Sequence, residues 1–185
     1  MKTLIINGSP RKNGDTAFLV SALKQRINGI IIEVSAYYDN INPCIDCRKC
    51  WQQKGCAIQD EMNKIYADDF DTVVIASPIY CSSFPGPLVS LASRFQAHYA
   101  AKHFLKNEIA CNKKCAALIL VGGGDGKPTH AINLARWIFK NINAELNDEN
   151  ILFSLNTNHL PAKDDANALQ QINDMPFLRQ TSFHS

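Results

Sequence analysis

Short, unbroken apolar runs recur along the chain, each bordered by turn-forming residues and followed by a segment with helical spacing. Residues 3–6 stop at Asn7-Gly8, 30–34 follow Asn28-Gly29, 72–76 stop at Ser77-Pro78, and 116–121 stop at Gly122-Gly123-Gly124. Continuous hydrophobicity marks strands buried on both faces, and strands of that kind belong to parallel sheets. Between them, apolar residues recur at helical spacing: Leu19, Val20, Leu23 and Ile27 behind an Asp15 or Thr16 cap, then Met62, Ile65 and Tyr66 within 60–67. Ile132, Ala135, Trp137 and Phe139 do the same within 131–142. A further helix is expected to begin over 87–95, a fifth strand over 151–155 and a last helix over 162–172. Parallel neighbours require crossover connections. The alternation therefore predicts one α/β domain over residues 1–185, with a doubly wound, five-stranded parallel sheet of order 2-1-3-4-5 and helices on both faces.

Composition narrows the class. Hydrophobic residues make up 46% and charged residues 19%, which suits a globular core. Nineteen Lys and Arg against 17 Asp and Glu leave a net charge of +2, no electrostatic footprint for nucleic acid or an anionic membrane. No apolar run approaches the roughly 18 residues of a spanning helix, and the N-terminal run is too short for a signal peptide. Seven cysteines, an odd number, fit a reducing cytoplasm, where clustered thiols serve metal or redox chemistry rather than disulfides.

In open α/β sheets ligands collect beyond the carboxyl ends of the strands. The first such loop, Gly8-Ser9-Pro10-Arg11-Lys12-Asn13-Gly14-Asp15-Thr16, supplies backbone amides, the hydroxyls of Ser9 and Thr16, the Asn13 amide and two cations. A helix opens directly behind it, adding the positive end of its dipole. A dinucleotide fingerprint G-x-G-x-x-G is broken at Gly8-Ser9-Pro10, and a nucleoside triphosphate loop would need Lys where Asp15 follows Gly14. A mononucleotide phosphate site remains, of the kind flavin mononucleotide (FMN) requires, beside the plainer reading of an ordinary strand-to-helix turn. The third strand leaves into Pro78-Ile79-Tyr80-Cys81 and the fourth into Gly122-Gly123-Gly124-Asp125-Gly126, both neighbouring the first loop in this strand order. Glycines admit a flat ring close to backbone amides, and Tyr80 is placed to cover a ring face.

These segments carry a resemblance. Residues 6–16, the Ser77-Pro78-Ile79-Tyr80 turn and Gly122–Gly124 are similar, in order and spacing, to the phosphate loop and two flavin loops of the NADPH-dependent FMN reductase family. The similarity extends to about Phe139. It implies a flavodoxin-like fold, FMN as cofactor, and electron transfer from NAD(P)H to a flavin, quinone or similar small acceptor. It also implies a homodimer or homotetramer. On this basis the FMN phosphate falls to Ser9, Arg11, Asn13, Gly14 and Thr16, and the ring to Pro78, Ile79, Tyr80, Cys81, Gly122, Gly123 and Gly124. No side chain is needed as an obligatory acid or base, because the flavin carries the chemistry. Two departures stand out: Asp15 replaces a neutral polar residue near the phosphate, and Ser90 and Ser93 replace the Lys and Asp that often flank the arginine matching Arg94.

The stretch over about 36–58 lacks periodicity and is long for a structureless connection. It holds Cys44, Cys47, Cys50 and Cys56 as C-x2-C-x2-C-x5-C. Two short steps turn three thiolates about one centre and the fourth lies near enough to close the set, as in ferredoxin motifs. Zinc is less natural, since its structural sites join two separated pairs. The pattern resembles the iron–sulfur flavoprotein subgroup, which implies a [4Fe-4S] cluster on these four cysteines. Reduced thiols packing a loop, or a dithiol pair, stand as the alternative. Cys111 and Cys115 receive no role, and the five histidines show no ligand spacing, with His130 alone near the glycine loop. Two rivals to the reductase remain open: a flavodoxin-type electron carrier without NAD(P)H turnover, and a cysteine-based metal or redox module without flavin.

Overall fold

The computed structural model describes residues 1–67, 69–105, 113–124 and 126–179; Cys111, Asp125 and His184 lie outside them. Among the described residues six strands form one sheet, and every strand pair is parallel. In chain order these are β1 (Lys2–Asn7), β2 (Ile30–Ser35), β3 (Thr72–Pro78), β4 (Lys114–Val121), β5 (Ala144–Glu145) and β6 (Ile151–Ser154). The spatial order is β2-β1-β3-β4-β5, with β6 also paired to β4.

Successive residues of the central strands bury alternately into two separate cores. Leu4, Ile6, Val73, Ile75, Ala116, Leu118 and Leu120 enter one; Ile5, Val74, Ala76, Ala117, Ile119 and Val121 enter the other. The first core is closed by α3 (Gly86–Ser93) and α5 (Thr129–Asn141), and the second by α1 (Asp15–Lys24) and α6 (Ala166–Asp174). Continuous apolar runs thus follow from the two-sided burial that parallel pairing imposes. At the β2 edge the pattern relaxes, and Ile30 is exposed.

The strand expected over 151–155 is β6, and the two-residue β5 ahead of it is an additional, sixth strand. β5 pairs with Lys114 and Cys115 at the start of β4, whereas β6 pairs with Leu118 to Val121 at its end. Asn143 turns the chain out of α5 in a left-handed conformation (φ 56°), and a 3-10 turn at Asp148–Asn150 separates the two pieces. The helix expected from residue 87 likewise breaks: α3 ends at Ser93 and α4 (Gln96–His103) follows. At that junction Arg94 N bonds Leu91 O and Phe95 N bonds Ala92 O, the tightened i to i−3 pattern that ends a helix. The segment at 60–67 contracts to α2 (Asn63–Tyr66), and α7 (Pro176–Arg179) follows α6. No helix of the described residues is long and apolar enough to cross a membrane.

The carboxyl ends of the strands lie level. Asn7 is in register with Ser35 and Ala76, Pro78 with Val121, and Val121 with Ser154. The loops that follow therefore leave from one edge of the sheet. The first exit needs a bare backbone, because a Cβ on Gly8 would lie 2.6 Å from Leu88 Cδ2 and 3.0 Å from Ser77 Oγ. Gly8→Ala is expected to destabilise by about 1–3 kcal/mol through overpacking. Gly86→Ala, where nothing lies within 4 Å, should be near neutral. Equilibrium denaturation of the two variants checks the contrast.

Candidate functional site

The first loop is built by its own polar side chains. Asn7 Oδ1 accepts from Ser9 N at 2.9 Å, and Asn7 Nδ2 donates to Glu33 at 2.9 Å. Ser9 Oγ accepts from Arg11 N at 3.2 Å and lies 3.1 Å from Arg11 O, so the chain wraps around one hydroxyl. The Tyr38 hydroxyl donates to Pro10 O, and Lys12 Nζ sits 4.6 Å from the Tyr38 ring. The expected Asp15 or Thr16 cap is replaced by Gly14, which offers no side-chain acceptor, so the first amides of α1 carry no side-chain cap. Ser9 and Thr16 are buried beside that helix start, while Arg11 and Asn13 are exposed. Asp15 is engaged elsewhere: Oδ1 accepts from Ala162 N at 2.9 Å, and Oδ2 lies 3.8 Å from Arg11 Nη2. The carboxylate that looked misplaced ties α1 to the turn at residue 162.

The second and third loops meet. Ile79 N donates to Val121 O at 2.8 Å, and Ile79 atoms lie within 3.7 Å of the Cβ positions of Gly122 and Gly126. Tyr80 and Ser83 exchange both backbone hydrogen bonds at 2.9 Å, closing a tight turn with Cys81 (φ 50°) and Ser82 (φ 60°) at its tip. Two consecutive left-handed residues with side chains cost on the order of 1–3 kcal/mol each and persist only where the surroundings impose them. Tyr80 is 46% exposed. Burial, then the charges of Tyr80 and Tyr38, push the Tyr37 phenol above its ordinary pKa.

A fourth loop, absent from the sequence reading, completes the edge. Thr157 N and Oγ1 both donate to Gly122 O, at 2.9 and 3.1 Å, and Asn158 N donates to Gly123 O at 3.3 Å. A Cβ on Gly123 would lie 2.7 Å from Asn158 Nδ2, so the exposed Asn158 side chain packs directly over this glycine. The signal available was positional: polar residues 156–158 directly follow a strand at its carboxyl end.

The four clustered cysteines share one cavity wall. Cys44, Cys47, Cys50 and Cys56 line one cavity of about 80 Å³, walled also by Ile58, Trp51 and Arg94. Burial and then the other three thiols push the Cys50 thiol up, with a backbone hydrogen bond opposing. A cationic centre relieves such mutual repulsion. No three Cys, His, Asp or Glu side chains among the described residues are grouped to hold a single metal ion. Cys44, Cys47, Cys50, Cys56 and Cys81 are not disulfide-bonded. Cys115 lies at the far end of β4 from this edge, and His130 is exposed at the start of α5.

Helix α3 and its end hold the cysteine loop. Cys44 N donates to Ser93 Oγ at 2.9 Å, and Ser93 Oγ donates to the Ser90 carbonyl at 2.6 Å, so Ser93, one of the two serines that depart from the family pattern, fastens the loop. Arg94 Nη1 donates to Asn42 O at 2.8 Å and to Asp60 Oδ2 at 2.7 Å, while Nη2 donates to Ile58 O at 3.1 Å. One guanidinium thus clamps the chain before and after the cysteines. Trp51 stacks on Phe104 with centroids 4.4 Å apart, a second tie to the helical face. Burial acts to raise the Asp60 carboxyl, but hydrogen bonds from Arg94 and the amides of Asn42 and Met62 outweigh it and hold it below the ordinary value.

The strand order and loop positions agree with the comparisons in fold. The model of the NADPH-dependent FMN reductase family matches residues 1–158, and the chain belongs to that family. An iron–sulfur flavoprotein of Methanosarcina thermophila is 28% identical over 131 residues, 68% of this chain and 66% of that protein. One from Methanocaldococcus jannaschii is 33% identical over 129 residues, 66% of this chain and 62% of that protein. The chain spans 51–66% of the length of such curated relatives. The solved NAD(P)H:quinone oxidoreductase from Methanothermobacter marburgensis superposes with a TM-score of 0.65 at 12% identity, covering 100% of this chain and 98% of that one. An FMN-dependent NADH-azoreductase from Bacillus anthracis, in complex with FMN, gives 0.59 at 18% identity over 98% and 99%. At these identities the structures establish the flavodoxin-like fold.

The Arg94–Asp60 pair is closed to solvent, with side chains 0% and 1% exposed. Asp60→Asn leaves the guanidinium buried without its counter-charge, at an expected cost of about 3–5 kcal/mol. Because the folded pKa is depressed, the pair stabilises fully above the unfolded carboxylate value of about 3.9 and less as pH falls through the folded one. Urea midpoints measured from about pH 7 to about pH 3 should show a shallower acid decline in the variant than in the wild type.

Proposed function

We propose that the chain is an FMN-dependent oxidoreductase that passes electrons from NAD(P)H to a flavin, quinone or similar small acceptor. The observation that carries this reading is the level row of strand ends, from which the Gly8–Thr16 loop, the Pro78–Cys81 turn and the Gly122–Gly124 turn leave side by side. Membership of the NADPH-dependent FMN reductase family supports it.

In this reading the uncapped amides of α1, the hydroxyls of Ser9 and Thr16, the Asn13 amide and the Arg11 guanidinium bind the FMN phosphate. The bare backbone of Gly122–Gly124 and the strained Tyr80–Ser83 turn bound the ring, with Cys81 at the tip of that turn. FMN supplies reversible acceptance of one or two electrons, chemistry that no side chain of the protein provides. The chain positions the cofactor, excludes water along Ile79 and leaves Tyr80 at the open rim for a flat partner. The donor set fits a phosphate monoester, with neutral N–H and O–H groups and one cation, while Asp15 gives Oδ1 to Ala162 N and keeps Oδ2 3.8 Å from Arg11 Nη2.

We further propose that Cys44, Cys47, Cys50 and Cys56 hold a [4Fe-4S] cluster. Their shared cavity supports it, as does similarity to proteins named iron–sulfur flavoproteins. Such a cluster carries single electrons. The same pocket favours a second reading, an electron carrier supplied by a protein partner; steady-state oxidation of NADH or NADPH by the purified protein separates the two. The protein is proposed to work in the cytoplasm as a homodimer or homotetramer.

Arg11→Ala should weaken FMN binding by roughly 1.5–3 kcal/mol, the worth of a charge-assisted hydrogen bond, with Thr16→Ala weakening it less. Fluorescence titration of the apoprotein with FMN measures both, and unchanged affinities would displace the phosphate from this loop. Cys44→Ser should retain FMN yet lose iron, sulfide and visible cluster absorbance after anaerobic reconstitution.

A further inference from the structure

Arg94 is 1% exposed and sits at the end of α3 against the cysteine loop. A guanidinium has five N–H donors in a fixed fork. Here the Nη groups are engaged by Asn42 O, Asp60 Oδ2 and Ile58 O, but the Nε–H is buried with no hydrogen-bond partner among the described residues. Buried N–H groups left unmet are rare in native proteins, and each one asks for an explanation. The explanation lies in the cavity that Arg94 shares with Cys44, Cys47, Cys50 and Cys56. Thiol sulfurs are weak acceptors, whereas thiolates and inorganic sulfide carry the negative charge that a guanidinium donor seeks.

We propose that Arg94 donates its Nε–H to a sulfur of the anionic centre held by the four cysteines, and so acts as its positioning and tuning residue. The inference rests on the cluster reading above and goes beyond it, by assigning a residue outside the cysteine motif to the centre. Clamping fixes the loop while the cavity is being filled: Asn42 and Ile58 are fastened to one side chain on either side of the thiols. The unmet donor then serves the occupant. A hydrogen bond from a cation favours the more negative, reduced state, so its loss lowers the reduction potential.

The test uses the full-length protein, reconstituted anaerobically with iron and sulfide. Arg94→Lys keeps a positive charge but removes the Nε–H; the cluster potential should fall by about 59 mV or more, a tenfold weaker one-electron reduction. Ser93→Ala releases Cys44 N from α3 without touching Arg94, and its potential should match the wild type. Equal shifts in both variants would trace the effect to loop loosening and overturn the proposal, as would an unshifted Arg94→Lys. The wild type offers a measurement that needs no variant. Exchange of the Arg94 Nε–H with solvent, followed by nitrogen-15 NMR of the guanidinium, should slow on reconstitution; equal rates before and after would refute the hydrogen bond. A wild-type protein that takes up no iron or sulfide sinks the cluster reading itself, an outcome distinct from a loaded cluster indifferent to Arg94.

Discussion

Two-sided burial of the central strands governs everything else in this molecule. With Leu4, Val73 and Leu118 facing one core, and Ile5, Val74 and Ile119 the other, β1, β3 and β4 leave neither face to water. The chain must then cross over between parallel neighbours with helices on alternate sides. Parallel strands share a direction, so all the loops after them gather at one edge, and no separate device is needed to bring distant segments of sequence together. The shared loop edge is therefore a by-product of the hydrophobic pattern, and the local residues decide only what that edge can bind.

The cysteine loop follows a different logic. Beyond the Trp51–Phe104 stack, it is held by polar contacts: the Ser93 hydroxyl at the end of α3, the Arg94 fork and the Asp60 carboxylate. A buried ion pair is an uncertain source of net stability, since desolvation offsets much of its attraction. Its value here is directional. Arg94 reaches acceptors on both sides of the thiols, which no apolar side chain of similar volume could do.

How far the sequence disclosed this depends on which physics dominated each segment. Strands β1, β3 and β4 were legible because continuous burial writes itself into composition, and the loops at their ends were legible from position. The division of β5 from β6 was not, because Ala144–Glu145 is too short to leave a pattern and is defined by pairing with Lys114 and Cys115. The turn at Cys81-Ser82 was equally opaque: neither residue announces the left-handed conformation that the two-residue Tyr80–Ser83 closure requires. Gly14 replaced Asp15 as the helix cap because the carboxylate is claimed by Ala162, a contact 147 residues away. Likewise Arg94 was visible as a cation but not as a clamp, since its partners come from the irregular loop.

The split at the outer margin of the sheet has a consequence for how copies of this chain can meet. A continuous outer strand exposes a ladder of open amides and carbonyls that invites an incoming strand. Here that ladder is two residues of β5, an outward excursion through Asp148–Asn150, and four residues of β6. The interruption shortens the ladder that this margin offers to an incoming strand, while the opposite margin, β2, runs unbroken over Ile30–Ser35.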